Sequence, residues 1–161
     1  MRILVTGDKG YIGTVLTPML VAAGHDVMGL DSDLFEQCTF GGDDRMPDVP
    51  SIRKDVRDVT LDDLRGFDAV MHLAGLSNDP LGDYRPQLTA DINYRASVRL
   101  AELAKQAGVE RFIFSSSCSN YGASGDDYIH EESALNPVTP YGESKVKVEQ
   151  DVSRLADDNF T

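Results

Sequence analysis

The 161-residue sequence has no tryptophan and only two cysteines, and its 15 Lys+Arg are outnumbered by 27 Asp+Glu. Each shortage excludes something. A formal net charge of −12 repels phosphate backbones and anionic lipid, so neither nucleic acid nor a membrane surface is an expected partner. Cys38 and Cys118 lie far apart, without a CxxC partner or metal-ligand spacing, which excludes a disulfide framework and points to a reduced, cytoplasmic setting. No metal site is expected. The opening MRILVTG carries an apolar run far too short for a leader or a membrane span. What remains is ordinary: 41 % apolar and 26 % charged residues, with 14 Gly and 7 Pro. That is a folded domain with enough chain for a real core, not a disordered tract. An anionic ligand must be held by local features, such as helix N-termini, against the overall field.

Strand-like runs and helical stripes alternate along the chain. Ile3-Leu4-Val5 reads as a strand ended by Gly7. From Tyr11 to Ala23, the residues Ile12, Val15, Leu16, Met19, Leu20 and Ala23 fall on one helical face. Gly24 stops that helix. Val27 to Leu30 is a second strand ending at Asp31, and residues 32–50 read as an irregular loop. Ser51 to Lys54 is a third strand, and Thr60 caps a short helix over Leu61 to Arg65. Ala69 to Leu73 is a fourth strand, followed by a polar loop from Ser77. A long helix runs from about Gln87 to Ala107, with Ala96, Leu100, Leu103, Ala104 and Ala107 on one face. Arg111 to Ser115 is a fifth strand, residues 118–138 are loop, and Thr139-Pro140 opens a last helix. The alternation predicts an α/β fold: a doubly wound parallel sheet whose ligands bind at the carboxyl ends of the strands.

Those strand ends carry the candidate chemistry. Gly7-Asp8-Lys9-Gly10-Tyr11-Ile12-Gly13 follows the first strand and opens a helix. Its glycines permit a tight turn and let a pyrophosphate approach the backbone at the helix N-terminus. Asp31 ends the second strand, where a carboxylate accepts hydrogen bonds from adenosine ribose hydroxyls and repels a 2′-phosphate, which points to NAD. A solvated strand-end aspartate is the plainer alternative. Asp55-Val56 follows the third strand, placed either to meet an adenine ring or to make a surface turn. Tyr141 and Lys145 are one turn apart on the last helix, where an ammonium beside a phenol favours its ionised form and proton exchange with a hydroxyl. Val148, Val152 and Leu155 share that side, so a core-facing tyrosine with a snorkelling lysine fits the same spacing.

Taken in order, GxxGxxG, Asp31, Asp55-Val56, His72-Leu73-Ala74-Gly75, Ser115-Ser116-Ser117 with Tyr121-Gly122, and Tyr141-x-x-x-Lys145 resemble an extended short-chain dehydrogenase/reductase. The nucleotide-sugar epimerase/dehydratase branch is the nearest likeness. The resemblance implies a Rossmann-type domain that binds NAD. In it, Gly7, Gly10, Tyr11, Ile12 and Gly13 would meet the pyrophosphate, Asp31 the ribose, Asp55 and Val56 the adenine, and Leu73, Ala74, Gly75 and Ser115 the cofactor's flank. Ser117, Tyr141 and Lys145 would be catalytic, with Tyr141 as acid/base and Lys145 also anchoring the nicotinamide ribose. Asn93 would be structural. The implied substrate is a nucleotide sugar, the implied reaction a C4 epimerisation through a transient 4-keto sugar, and the implied assembly a homodimer. A 4-ketosugar reductase or dehydratase of the same branch, and a non-catalytic dinucleotide-binding domain, are the alternatives.

Three departures matter. Dehydratases of this branch place an Asp-Glu pair where this chain has Cys118-Ser119. Cys118 is one residue out of register with the branch's catalytic cysteine, and is read as a small packed residue. Lys9 stands where related NADP reductases carry a basic residue for the 2′-phosphate, opposing the signal of Asp31. His72 is expected to pack and hydrogen-bond. Relatives run much longer, so residues 1–161 are expected to be an incomplete NAD-binding domain with the C-terminal substrate domain absent from this chain. Weak NAD binding, little turnover and an exposed edge on the fifth strand follow from that expectation.

Overall fold

The computed structural model describes residues 1–35, 49–77, 79–122 and 128–161. Five strands form one sheet: β1 Arg2–Thr6, β2 Asp26–Asp31, β3 Ser51–Arg53, β4 Ala69–His72 and β5 Arg111–Phe114, in the order β3-β2-β1-β4-β5. Every pairing is parallel. The order reverses at β1, whose neighbours β2 and β4 lead to opposite edges, so the carboxyl end of β1 sits at the crevice where such sheets bind ligands.

Strand register decides which side chains meet. Leu4, Leu30, Val70 and Phe112 share one face through the pairs Leu4–Val70, Thr6–Leu30 and Val70–Phe112. Against that face lie a helical run and a last helix. The run comprises α3 Pro86–Thr89, a π-helical turn Ala90–Arg95 and α4 Ala96–Gln106, and the last helix is α5 Pro140–Val152. Ala96, Leu100, Ala101 and Ala104 of α4 join Val56, Val59, Leu64, Phe67 and Phe160 in the main core. Burying each large side chain there contributes about 2 kcal/mol. The opposite face is leaner. Ile3, Val5, Val27 and Ala69 form a small cluster with Leu20 of α1 Gly13–Ala22.

Local chemistry places the elements. Thr139 Oγ1 accepts the Gly142 N–H at 3.1 Å, and Pro140 fills the first turn of α5, where its missing N–H costs nothing. Thr60 and Asp63 form a reciprocal capping box on the 3-10 turn Leu61–Leu64. Thr161 extends the sheet's order past β5: its N–H donates to Glu110 O at 3.0 Å, and Phe112 N–H donates back to its carbonyl at 2.8 Å. The outer edge of β5 is therefore engaged at these two residues.

Three expectations need correction, and α1 adds a point that its spacing left open. The apolar stripe of α1 is split, Leu20 packing against the small cluster while its other side stays in solvent. Val15 and Met19 are each 62 % exposed, while Gly13 and Thr17 are buried. The contact with the strands is so close that small side chains occupy it. The polar loop after β4 contains a helix, α2 Asp79–Tyr84. The long helix is not uniform, since its π turn carries one wide loop of backbone that sequence periodicity does not announce. Cys118 is exposed rather than packed, because it opens a 3-10 turn, Cys118–Tyr121, at the surface. Cys38 lies outside the described residues.

Candidate active site

The turn after β1 is built for close approach. Gly7 holds φ +76°, and a Cβ there would stand 2.8 Å from Ala74 N. A Cβ on Gly13 would stand 2.2 Å from Gly7 O. Only glycines let this turn lie flat on the Leu73–Ala74 backbone while α1 starts directly above it. Gly10 closes the turn, donating to Gly7 O at 3.0 Å. The N–H groups of Ile12 and Gly13 find no acceptor among the described residues, which is the open donor set that a phosphate takes at a helix N-terminus. Tyr11 projects fully into solvent beside it.

At the end of β2, Asp31 receives two backbone donors. The Asp33 N–H donates to Oδ1 at 2.8 Å, and the Lys9 N–H donates to Oδ2 at 3.2 Å. Asp8 is buried beneath the turn and takes the Ser51 hydroxyl at 3.3 Å. Burial raises its carboxyl above the usual range, and the charge of Asp31 adds to the rise. After β3, Asp55 is clamped by Arg57 through Nε at 3.0 Å and Nη2 at 2.7 Å. That hydrogen-bonded pairing holds its carboxyl below the usual range. The Val56 side chain is core, so Val56 offers only backbone to an adenine ring.

A cavity of about 150 Å³ gathers Ile12, Leu73, Gly75, Ser115, Tyr141 and Lys145. The family resemblance implied all six as site residues. Leu76, Ser77 and Ser116 also line it; Leu76 and Ser77 follow the strand-end motif, and Ser116 lies within the Ser115–Ser117 run. Ser117 is not among the lining residues. It caps the 3-10 turn, its Oγ accepting the Ser119 N–H at 3.2 Å. Tyr141 is half-buried, and α2 holds it in place: a Cβ on Gly82 would come within 3.2 Å of the Tyr141 Cβ. Asp79 of α2 accepts the Thr139 hydroxyl at 2.7 Å, tying that helix to the start of α5. Lys145 is 8 % exposed. Its ammonium donates to Ser115 O at 2.8 Å and lies 4.6 Å from the Phe114 ring centroid and 5.6 Å from that of Tyr141. Burial pulls it down to about 8, with Glu149 opposing the fall.

A buried hydrogen-bond chain fixes the cavity floor. Ser97 Oγ donates to Asn93 O at 2.7 Å, so it accepts from His72 Nε2 at 2.7 Å. His72 Nδ1 then accepts the Thr6 hydroxyl at 2.6 Å, and Thr6 Oγ1 accepts the Ala74 N–H at 3.3 Å. This assignment makes His72 the neutral Nε2–H tautomer. Full burial, helped by the charge of Lys145, lowers it to about 3, which keeps it neutral. Asn93 accepts the Leu76 N–H at 2.7 Å and donates to Leu76 O at 2.9 Å. Among the described residues no group of three His, Cys, Asp or Glu is suited to a metal, and no helix is long and apolar enough to cross a membrane.

The model of the NAD dependent epimerase/dehydratase family matches residues 3–160. This chain belongs to that family. It is 35 % identical over 154 residues to the UDP-glucose 4-epimerase of Lactobacillus helveticus, covering 93 % of this chain and 46 % of that protein. The chain thus spans about half the length of the curated relatives it matches. Among solved structures it resembles MoeE5 in complex with UDP-glucose and NAD, at 30 % identity and a TM-score of 0.83, covering 99 % of this chain and 51 % of that one. It equally resembles TunA, an NAD-dependent NDP-hexosamine 5,6-dehydratase of tunicamycin biosynthesis, at 30 % identity and a TM-score of 0.83, covering 96 % and 50 %. The glycine turn, the open N–H groups and the carboxylate of Asp31 fit the NAD of this family: the first two favour a pyrophosphate, and the third a free ribose.

Proposed function

We propose that this chain forms the cofactor-binding part of an NAD-dependent nucleotide-sugar epimerase that acts at C4 through a transient 4-keto sugar. One observation carries the reading: Tyr141 and Lys145 open into the same cavity as Ile12 of the glycine turn and Leu73 and Gly75 of the β4 end. Bound NAD supplies a reversible two-electron acceptor. Tyr141 removes the proton of the substrate's O4 hydroxyl and returns it after the sugar has turned. Lys145 keeps a positive charge near the phenol ring at neutral pH. It is positioned through Ser115 O and can reach a ribose hydroxyl from there. Ser117 hydrogen-bonds the reacting oxygen once it leaves its capping bond to Ser119.

The test uses the natural polypeptide that carries these residues. Incubation with UDP- and TDP-hexoses, followed by NMR, is expected to give 4-epimers with no net change in NADH. Stoichiometric cofactor turnover without epimer would overturn the reading in favour of a 4-ketosugar reductase. The likeness to TunA supports a dehydratase as the second reading, for which a dehydrated sugar is the diagnostic product. Against it, Cys118 and Ser119 supply neither the acid nor the base for expelling water.

A further inference from the structure

Lys9 is the one cation within the glycine turn Gly7–Gly13, beside the carboxylate that would face an adenosine ribose. A free ammonium there would attract a 2′-phosphate, so its actual partner matters. Its backbone N–H bonds Asp31 Oδ2 at 3.2 Å, but its side chain turns elsewhere, reaching Asp33 Oδ1 at 2.7 Å. The Asp33 side chain is 5 % exposed, and its other oxygen lies 3.3 Å from Arg53 Nε. Asp33 stands at φ +58°, a conformation that aspartate and asparagine tolerate better than most residues. That backbone also aims its own N–H at Asp31 Oδ1, at 2.8 Å. The carboxyl end of β2 is thus a closed ring: Asp31 holds the backbone of Lys9 and Asp33, and Asp33 holds the ammonium of Lys9.

We infer that Asp33 is a cofactor-specificity residue: its carboxylate captures the Lys9 ammonium in an internal ion pair and so withholds from NADP the cation that a 2′-phosphate needs. Asp31 repels the phosphate directly. Asp33 acts through Lys9, by keeping the turn's cation occupied. The pair explains how a lysine can stand in this turn without converting the site to NADP. The sequence shows Lys9 and Asp31 as opposed signals, and the third residue resolves the opposition.

The experiment measures dissociation constants of NAD and NADP by calorimetry on the natural polypeptide that carries this chain, so no catalytic readout is needed. Asp33→Asn keeps the shape and the tolerance of positive φ but removes the charge. The expected result is an affinity for NADP relative to NAD that rises about tenfold. The gain shrinks when salt is raised to about 0.5 M, and Lys9→Met in the Asp33→Asn background abolishes it. Asp33→Gly, which accepts the same backbone without a carboxylate, gives the same ratio and stands in should the asparagine variant fold poorly. An unchanged ratio in both folded variants would overturn the inference, as would a gain that survives Lys9→Met. Equal binding of NAD and NADP by the unaltered protein would also overturn it. Failure to bind either dinucleotide would remove the cofactor assignment itself, a result distinct from an unchanged ratio.

Discussion

The two faces of the sheet differ in how they use the same kind of helix. On one face, α4 presents Ala96, Leu100 and Ala104 to Leu4, Val70 and Phe112, and all of them are buried. On the other, α1 lays Gly13 and Thr17 toward β1 and β2 and leaves Val15 and Met19 in solvent, while Ile113 of β5 is 49 % exposed. Both helices show apolar residues at helical spacing. α4 spends that spacing on the main core, whereas from the α1 stripe Leu20 joins the smaller cluster. The tight turn at Gly7 and Gly13 draws the start of α1 down until Gly13 and Thr17 are buried there. Face by face, the fuller core anchors Tyr141, Lys145 and the His72 chain, and the leaner one carries the phosphate turn and the Lys9–Asp33 pair. In the proposed reading, stability and proton chemistry thus share one side of the molecule, and cofactor selection lies on the other.

The sharpest way to separate those roles is Tyr141→Phe. Epimerisation should fall about a thousandfold, with the thermal unfolding midpoint and NAD affinity nearly unchanged; a variant that keeps full turnover would return the chain to a non-catalytic binding domain. Next in size, Leu100→Ala on the fuller face should cost about 3 kcal/mol in denaturant unfolding. A third test uses pH. Lys145 sits at about 8 in the folded chain against 10.5 when unfolded, so between these values the unfolded chain holds a proton that the folded one has released. Stability should therefore rise with pH across that window by roughly 3 kcal/mol, while any activity needing the ammonium declines above pH 8. Lys145→Met should flatten that rise. The smallest effect belongs to the leaner face: Val15→Ser should change stability by less than about 0.5 kcal/mol. A loss above about 1 kcal/mol in the natural polypeptide would mean that something covers α1 there, and the contrast between faces would shrink.

Much of this was legible beforehand, for identifiable reasons. Strands such as Arg2–Thr6 and Ala69–His72 are short, mostly buried apolar runs, and they announce themselves. Thr139-Pro140 is a helix start that local sterics alone enforce. Tyr141 and Lys145 stood out as a pair one turn apart on a helix, while Ile12 and Gly75 were implied by the family resemblance. What escaped depends on contacts between distant segments. Nothing in Asp79–Tyr84 advertises a helix until Asp79 meets Thr139 and Gly82 meets Tyr141. For α1, apolar spacing reveals a stripe but neither its orientation nor its distance from the sheet. Ser117 matches its motif position, yet its hydroxyl is engaged by its own turn. Asp33 is one aspartate among many until its positive φ brings it between Lys9 and Arg53.

The wide turn at Ala90–Arg95 has a consequence for how this chain tolerates insertions and deletions. A regular α-helix advances by about 100° per residue. Removing one residue from that turn would let the segment run as a smooth spiral, but Asn93 would swing by that angle and release both its bonds to Leu76. A deletion that improves the helix locally would thus unfasten the floor beneath the cavity, which makes the irregularity a length-coded latch.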